Sequence, residues 1–136
     1  MSNAGPPGTG VIGVGIDVVA VPRFAAALCR TPALAGRLFH PSELRTPSGG
    51  ERTAASLAGR FAIKEAVAKA LGVPRGMDWT DCRVVSGQSG RPELLTLGTV
   101  TAAAHAAGVT GWQISLSHDA GLAAAMVLAF GAADRS

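Results

Sequence analysis

GRFAIKEAVAKALG, at residues 59–72, decides how the rest of the chain can be arranged. It holds good helix formers, has no Gly or Pro between its ends, and closes on Gly72, the residue type that most often terminates a helix. Ile63, Val67, Ala70 and Leu71 recur at helical spacing, so the pattern predicts a buried helix, starting near Glu51 or Thr53. Lys64, Glu65 and Lys69 interrupt that apolar character. A buried charge is unfavourable unless it is paired or bound to a metal. One reading pairs Glu65 with Lys69 at i, i+4 on a solvated face. The other requires a partner elsewhere in the chain.

Toward the N-terminus, VIGVGIDVV at residues 11–19 has the nearly continuous apolar character of a strand buried on both faces. Asp17 is its only charge, either a backbone acceptor at a turn or a ligand. Pro22 opens a short helix with Phe24, Ala27 and Leu28 on one face and Arg23 and Arg30 outward. Pro32 opens a second, and Pro41, Ser42 and Glu43 start a third short turn before the loop TPSGGER at residues 46–52. Arg23, Arg30, Arg37 and Arg45 across these pieces form either one basic face or a solubilising surface.

Toward the C-terminus, the turn-rich GVPRGMDWTD at residues 72–81 leads into strands at 81–86 and 92–97, joined by the hairpin-compatible GQSGR. An Ala-rich helix at 99–107, with His105 exposed on it, stops at Gly108. Strands at 112–117 and 122–130 flank the tight connection HDAG. Strands joined by short turns predict an α+β domain with an antiparallel sheet. Ile114 and Leu116 alternate with Ser115 and Ser117, after which the turn exposes His118 and Asp119.

Composition limits what this domain can be. At 136 residues and 48% hydrophobic it can bury one modest core, expected over residues 11–131, with residues 1–10 as a lead-in and 132–136 as a tail. Ser2, Asn3 and Ala4 look like an expression-tag scar. Gly8, Gly10 and Gly13 match GxGxxG but precede the first strand instead of following it, so they make no dinucleotide site. Four Phe, two Trp and no Tyr leave Ala, Val and Leu to build the interior, and such a core often completes its burial against another subunit. A net charge of +3 favours an acidic protein or a phosphorylated small molecule over nucleic acid. Cys29 and Cys82 lack metal-ligand spacing and are expected to be buried thiols in a reducing compartment. With neither an h-region nor a spanning segment, the chain is expected to be cytoplasmic and off the membrane.

GIDVV, RLFHPSEL, GRFAIKEAVAKALG, SGRPEL and ISLSHD, in this order and spacing, resemble the holo-acyl-carrier-protein synthase family of 4′-phosphopantetheinyl transferases, as found in actinobacteria. The resemblance runs from about residue 11 to residue 130. It implies one strand, three helices, two strands, a helix and two strands. It also implies transfer of the phosphopantetheine arm of coenzyme A to a serine of an apo acyl carrier protein, releasing adenosine 3′,5′-bisphosphate. Attack of a hydroxyl on a phosphorus needs charge neutralisation, in-line placement and a proton acceptor.

By that resemblance Asp17 and Glu65 are the ligands of Mg²⁺, with Mn²⁺ as an alternative. Lys69 contacts the phosphates, His118 lies near them, and Asp119 is expected to orient the imidazole. Arg60, Lys64, Arg75, Gly76 and Ser117 join Lys69 and His118 as coenzyme A contacts, although Lys64 is equally a support of the helix surface. The proton acceptor is either a cation-held water beside Asp17 and Glu65, the preferred reading, or His118. Arg23, Arg30 and Arg37 are the expected docking residues for an acidic carrier. The family's trimers place each cleft between subunits, so His118 is expected to serve a neighbour's Asp17 and Glu65. Pro22 and GVPRGMDWTD depart from the family's usual residues. Two rivals are a Mg²⁺-dependent hydrolase of nucleotides or phosphate esters and a noncatalytic carrier-binding protein.

Overall fold

Small and β-branched residues alternate along Gly10–Ala20 and form the first strand, β1, in the computed structural model, which describes residues 10–132. Most of the lead-in, with its tag-like Ser2, Asn3 and Ala4, and most of the C-terminal tail lie outside the described residues. Helices α1 (Val21–Arg30) and α2 (Leu34–Leu38) and a 3₁₀ turn (Pro41–Leu44) follow, then the central helix α3 (Ala54–Ala70). A second 3₁₀ turn (Trp79–Asp81) leads to strands β2 (Cys82–Ser86) and β3 (Pro92–Thr96), helix α4 (Gly98–Ala107) and strands β4 (Val109–Asp119) and β5 (Leu122–Gly131). This is the expected α+β order. The strands form two antiparallel sheets where one was expected: a three-stranded sheet ordered β1-β5-β4 and a separate β2-β3 hairpin.

The ends of α3 are chemically specified. The Thr53 side chain accepts from Ser56 N at 3.1 Å, satisfying an amide that the first turn leaves free. At the other end Val73 N reaches Ala68 O at 2.7 Å and Gly72 N reaches Lys69 O at 3.1 Å, the paired bonds of a Schellman motif with Gly72 left-handed at φ 78°. Between these caps α3 lies so close to β1 that a Cβ at Gly13 would collide with the Ala70 carbonyl, and one at Gly15 with the Ala66 carbonyl. Only glycine permits that approach.

The core follows from this contact. Ala62, Ile63, Ala66 and Val67 of α3 pack on Ala125 and Val127 of β5, with Val84 and Val100 closing the far side. A second cluster joins Phe24, Leu38 and Phe39 to Leu57, Ala58 and Ala123. Alanine therefore supplies much of the interior, as composition implied.

Three expectations are corrected. β1 is covered on one face only: Val14, Ile16 and Val18 are 57%, 58% and 57% exposed, because none of the described residues packs on the sheet face opposite α3. Cys29 is exposed on α1, whereas Cys82 is buried. The last turn is shorter than HDAG. β4 runs through Asp119, and Ala120 (φ 50°) and Gly121 (φ 77°) alone make a two-residue turn of the kind that matches strand twist.

Candidate functional site

The two halves of α3 carry different chemistry. On its C-terminal half, Gly13, Gly15 and Asp17 are on the β1 face turned toward the helix, following the period-two alternation of a strand. Lys69 Nζ donates to Asp17 Oδ1 at 2.9 Å and to the Ile16 carbonyl at 3.0 Å. Asp17, not Glu65, is therefore the partner of Lys69. Glu65, half-buried beside them, has its carboxyl held above the ordinary 4.5, first by burial and then by the negative charge of Asp17, with Lys69 opposing.

Asp17 and Glu65 are thus two carboxylates sharing one flank, and a cation would relieve their repulsion. No cluster of three or more His, Cys, Asp or Glu side chains exists among the described residues. A closed all-protein metal cage is therefore absent among them. Two carboxylates, with the remaining positions left to water and phosphate, are the donor set that suits Mg²⁺ or Mn²⁺. Asp17 and Glu65 fit such an ion.

The N-terminal half of α3 is basic. His118 Nε2 donates to the Ala55 carbonyl at 2.9 Å. The ring lies over Gly59, where a Cβ would stand 3.0 Å from Nε2 and 2.9 Å from Leu116 Cδ2. Arg60 is 6% exposed, and its buried Nε has no hydrogen-bond partner among the described residues. Arg52 donates through Nε to the Glu43 carbonyl at 3.0 Å and through Nη1 to Ser56 Oγ at 3.3 Å. Burial, then the charge of Arg52, holds the Arg60 guanidinium below its ordinary value, while Glu43 works the other way. Two guanidinium groups near one another, one with an orphaned buried N–H, make a natural seat for an anion.

Lys64 corrects the sequence reading. It is neither on the helix surface nor open to a nucleotide, because Nζ donates to Glu43 Oε1 at 2.8 Å and the Trp79 carbonyl at 3.0 Å, with side-chain exposure of 0%. The Phe39 ring lies 5.2 Å from Nζ. Burial pushes the ammonium below its ordinary value, and the bond to Glu43 pushes back.

The orienting role expected of Asp119 is also corrected. Asp119 follows His118 within β4, so the two side chains leave opposite faces, and the His118 ring bonds the Ala55 carbonyl instead. Ser117 shares the Asp119 face, away from His118 and α3. Arg75 and Gly76 are exposed in the loop after α3. Arg23, Arg30 and Arg37 are exposed on α1 and α2. His118 pairs with Ala123, and Ala123 with Val19, so two inter-strand steps separate His118 from β1 and its Asp17. One chain does not bring His118 to the two carboxylates.

Arg52 and Glu43 are absent from the sequence-derived site. Glu43 had a signal in its position three residues after His40: it completes a capping box in which the His40 ring accepts from Ser42 N at 3.2 Å and Glu43 Oε1 from His40 N at 2.9 Å. Arg52 had none, standing in a loop outside any periodic pattern.

Comparison with known proteins bears on what this arrangement does. Residues 13–125 match the family model described as the 4′-phosphopantetheinyl transferase superfamily. A holo-[acyl-carrier-protein] synthase of Streptomyces coelicolor is 61% identical over 121 residues, covering 89% of this chain and 98% of that protein. Among solved structures, the Chronobacterium ammoniagenes ACPS–CoA complex aligns with a TM-score of 0.77 and 30% identity over 90% of this chain and 98% of that one. The Helicobacter pylori holo-[acyl-carrier-protein] synthase in complex with coenzyme A aligns with a TM-score of 0.73 and 28% identity over 85% and 98%.

Proposed function

The chain belongs to the 4′-phosphopantetheinyl transferase superfamily, and on that premise we propose that it is a holo-acyl-carrier-protein synthase, moving the phosphopantetheine arm of coenzyme A to a serine of an apo acyl carrier protein. The observation that carries this reading is the flank where Asp17, Glu65 and Lys69 meet, at the other end of α3 from the basic group of Arg60 on that helix and Arg52 and His118 against it. In the transfer the serine hydroxyl gives its proton to water beside Asp17 and Glu65, or to His118, and its oxygen bonds to the phosphorus nearest the pantetheine arm. The bond from that phosphorus to the bridging oxygen breaks, and adenosine 3′,5′-bisphosphate leaves.

Asp17 and Glu65 would hold Mg²⁺, which supplies charge neutralisation at the phosphoryl oxygens when bound. Lys69, 46% exposed, is available to turn its point charge from Asp17 to the phosphates. Arg52 and Arg60, with His118, would seat further phosphate charge of coenzyme A. Arg23, Arg30 and Arg37 suit an acidic carrier.

The exposed strip of Val14, Ile16, Val18 and Met126 supports a homotrimer, since each chain leaves apolar sheet surface bare. A trimer also answers the separation of His118 from Asp17, by letting His118 of one chain work beside the carboxylates of another. No helix among the described residues is long and apolar enough to cross a membrane.

Intact-mass analysis of apo carriers incubated with the protein, coenzyme A and Mg²⁺ tests the reading. A gain of one phosphopantetheine on the carrier serine is expected. Release of adenosine bisphosphate without any carrier would overturn it in favour of a hydrolase.

A further inference from the structure

Transfer as described makes no use of Glu43, yet this carboxylate is the point where three parts of the fold are tied. Oε1 accepts from His40 N at 2.9 Å and Lys64 Nζ at 2.8 Å, and Oε2 accepts from Val84 N at 3.0 Å. The 3₁₀ turn, α3 and β2 are thereby locked to one another. Stability alone does not require such a pair, because well-packed apolar residues commonly replace a buried ion pair without loss. What the pair does provide is a fixed position for the 3₁₀ turn, and the backbone carbonyl of Glu43 is the acceptor for Arg52 Nε at 3.0 Å.

Arg52 needs that anchor. Its Nη1 reaches Ser56, one helical turn before Arg60 on α3, so the two cations lie on one flank of the helix, and like charges separate unless held. Ser56 Oγ holds one end of the guanidinium at 3.3 Å, and the Glu43 carbonyl holds the other. The Arg60 Nε is buried and has no partner among the described residues, so its hydrogen-bonding capacity is not spent within them.

We propose that Glu43 is a positioning residue: through its three hydrogen bonds it sets the carbonyl that aims Arg52 beside Arg60, so that the two guanidinium groups meet the phosphates of coenzyme A together. The proposal rests on reading that flank of α3 as a phosphate seat. Glu43 does not touch the substrate; its effect passes through Arg52.

Two variants separate positioning from stability. Glu43→Asp keeps a negative partner for Lys64 but is one methylene too short for all three donors. Glu43→Gln combined with Lys64→Met removes both charges and leaves no unpaired one. Calorimetric titration with coenzyme A is expected to show Kd raised about tenfold in each. Adenosine 3′,5′-bisphosphate should lose affinity in parallel, KM for coenzyme A should rise more than kcat falls, and the double variant should melt near the wild-type temperature. A double variant that melts like wild type and binds coenzyme A within about twofold of it would overturn the proposal.

Should either variant fold poorly, nuclear magnetic resonance of the unaltered protein decides the matter. The Arg52 Nε–H signal should be slow to exchange and should shift when adenosine 3′,5′-bisphosphate is added. A rapidly exchanging, unshifted signal overturns the proposal. Arg52→Gln and Arg60→Gln distinguish the two levels: if both bind coenzyme A normally, the phosphate seat itself is wrong; if both weaken it while the Glu43 variants do not, only the positioning role falls.

Discussion

Lys64 and Lys69 lie little more than one turn apart on α3, and each donates to a carboxylate at nearly the same distance, 2.8 Å to Glu43 and 2.9 Å to Asp17. Their surroundings differ completely. The first pair has side-chain exposures of 0% and 1%, and its oxygens and ammonium are shared with His40, Val84 and Trp79. The second leaves Lys69 46% and Asp17 16% exposed, with Glu65 alongside. A closed pair in which the ammonium and both carboxylate oxygens have partners holds elements together. An open pair with a spare carboxylate beside it can exchange partners, which is what binding a cation and a phosphate demands.

The largest expected effect breaks the open site. Asp17→Asn or Glu65→Gln should reduce kcat for carrier modification by at least about 10²-fold, the loss typical of removing a group aimed at developing charge, with a cooperative thermal melt retained. Retained transfer in either variant would remove these carboxylates from the chemistry.

The two lysines should then separate cleanly in stability. Lys64→Ala leaves Glu43 buried and unpaired, and urea unfolding should show a loss of about 3–5 kcal/mol. Lys69→Ala breaks a pair in contact with water, so the loss should stay below about 1 kcal/mol while transfer collapses. Equal losses would mean that the two environments are not as different as their exposures indicate.

Cys82 reports on the closed site from within. Its thiol is pushed up to about 12, chiefly by burial, and it is fully shielded next to the Glu43–Lys64 pair. In the folded protein a thiol reagent at pH 8 should modify Cys29 and spare Cys82, because the thiolate is the reacting form. Loss of the Lys64 charge pushes the Cys82 thiol up further, so Lys64→Ala should bring Cys82 into reaction only by opening the destabilised fold; Lys69→Ala should not.

Much of this contrast is hidden in the linear sequence for physical reasons. The limits of α3 and its stop at Gly72 are local or periodic features, and they are legible. Lys64 and Lys69 have no local distinction: what separates them is Glu43, which lies 21 positions before Lys64 and comes near only through the tertiary fold. The bare face of β1 is illegible because Val14, Ile16 and Val18 are as apolar as a buried strand requires, whatever ends up covering them. Asp119 is obscured for a narrower reason. Ala120 takes φ 50° in the turn, a conformation alanine does not advertise, so the sequence gives no sign that the strand alternation continues through His118 and Asp119.

The smallest effect concerns pH, and its sign follows from the same comparison. Glu65 is held above 4.5, so between that value and its raised one the folded chain binds a proton that the unfolded chain has released. Stability therefore falls as pH rises through this window, the reverse of what a salt-bridged carboxylate gives. Melting temperature followed upward from pH 4.5 should carry a shallow decline that Glu65→Gln removes. Mg²⁺ binds the ionised form, so adding it should flatten the decline and raise the melt at neutral pH by mass action. A decline that persists in Glu65→Gln would assign it to other groups, and a melt indifferent to Mg²⁺ would count against Asp17 and Glu65 as its ligands.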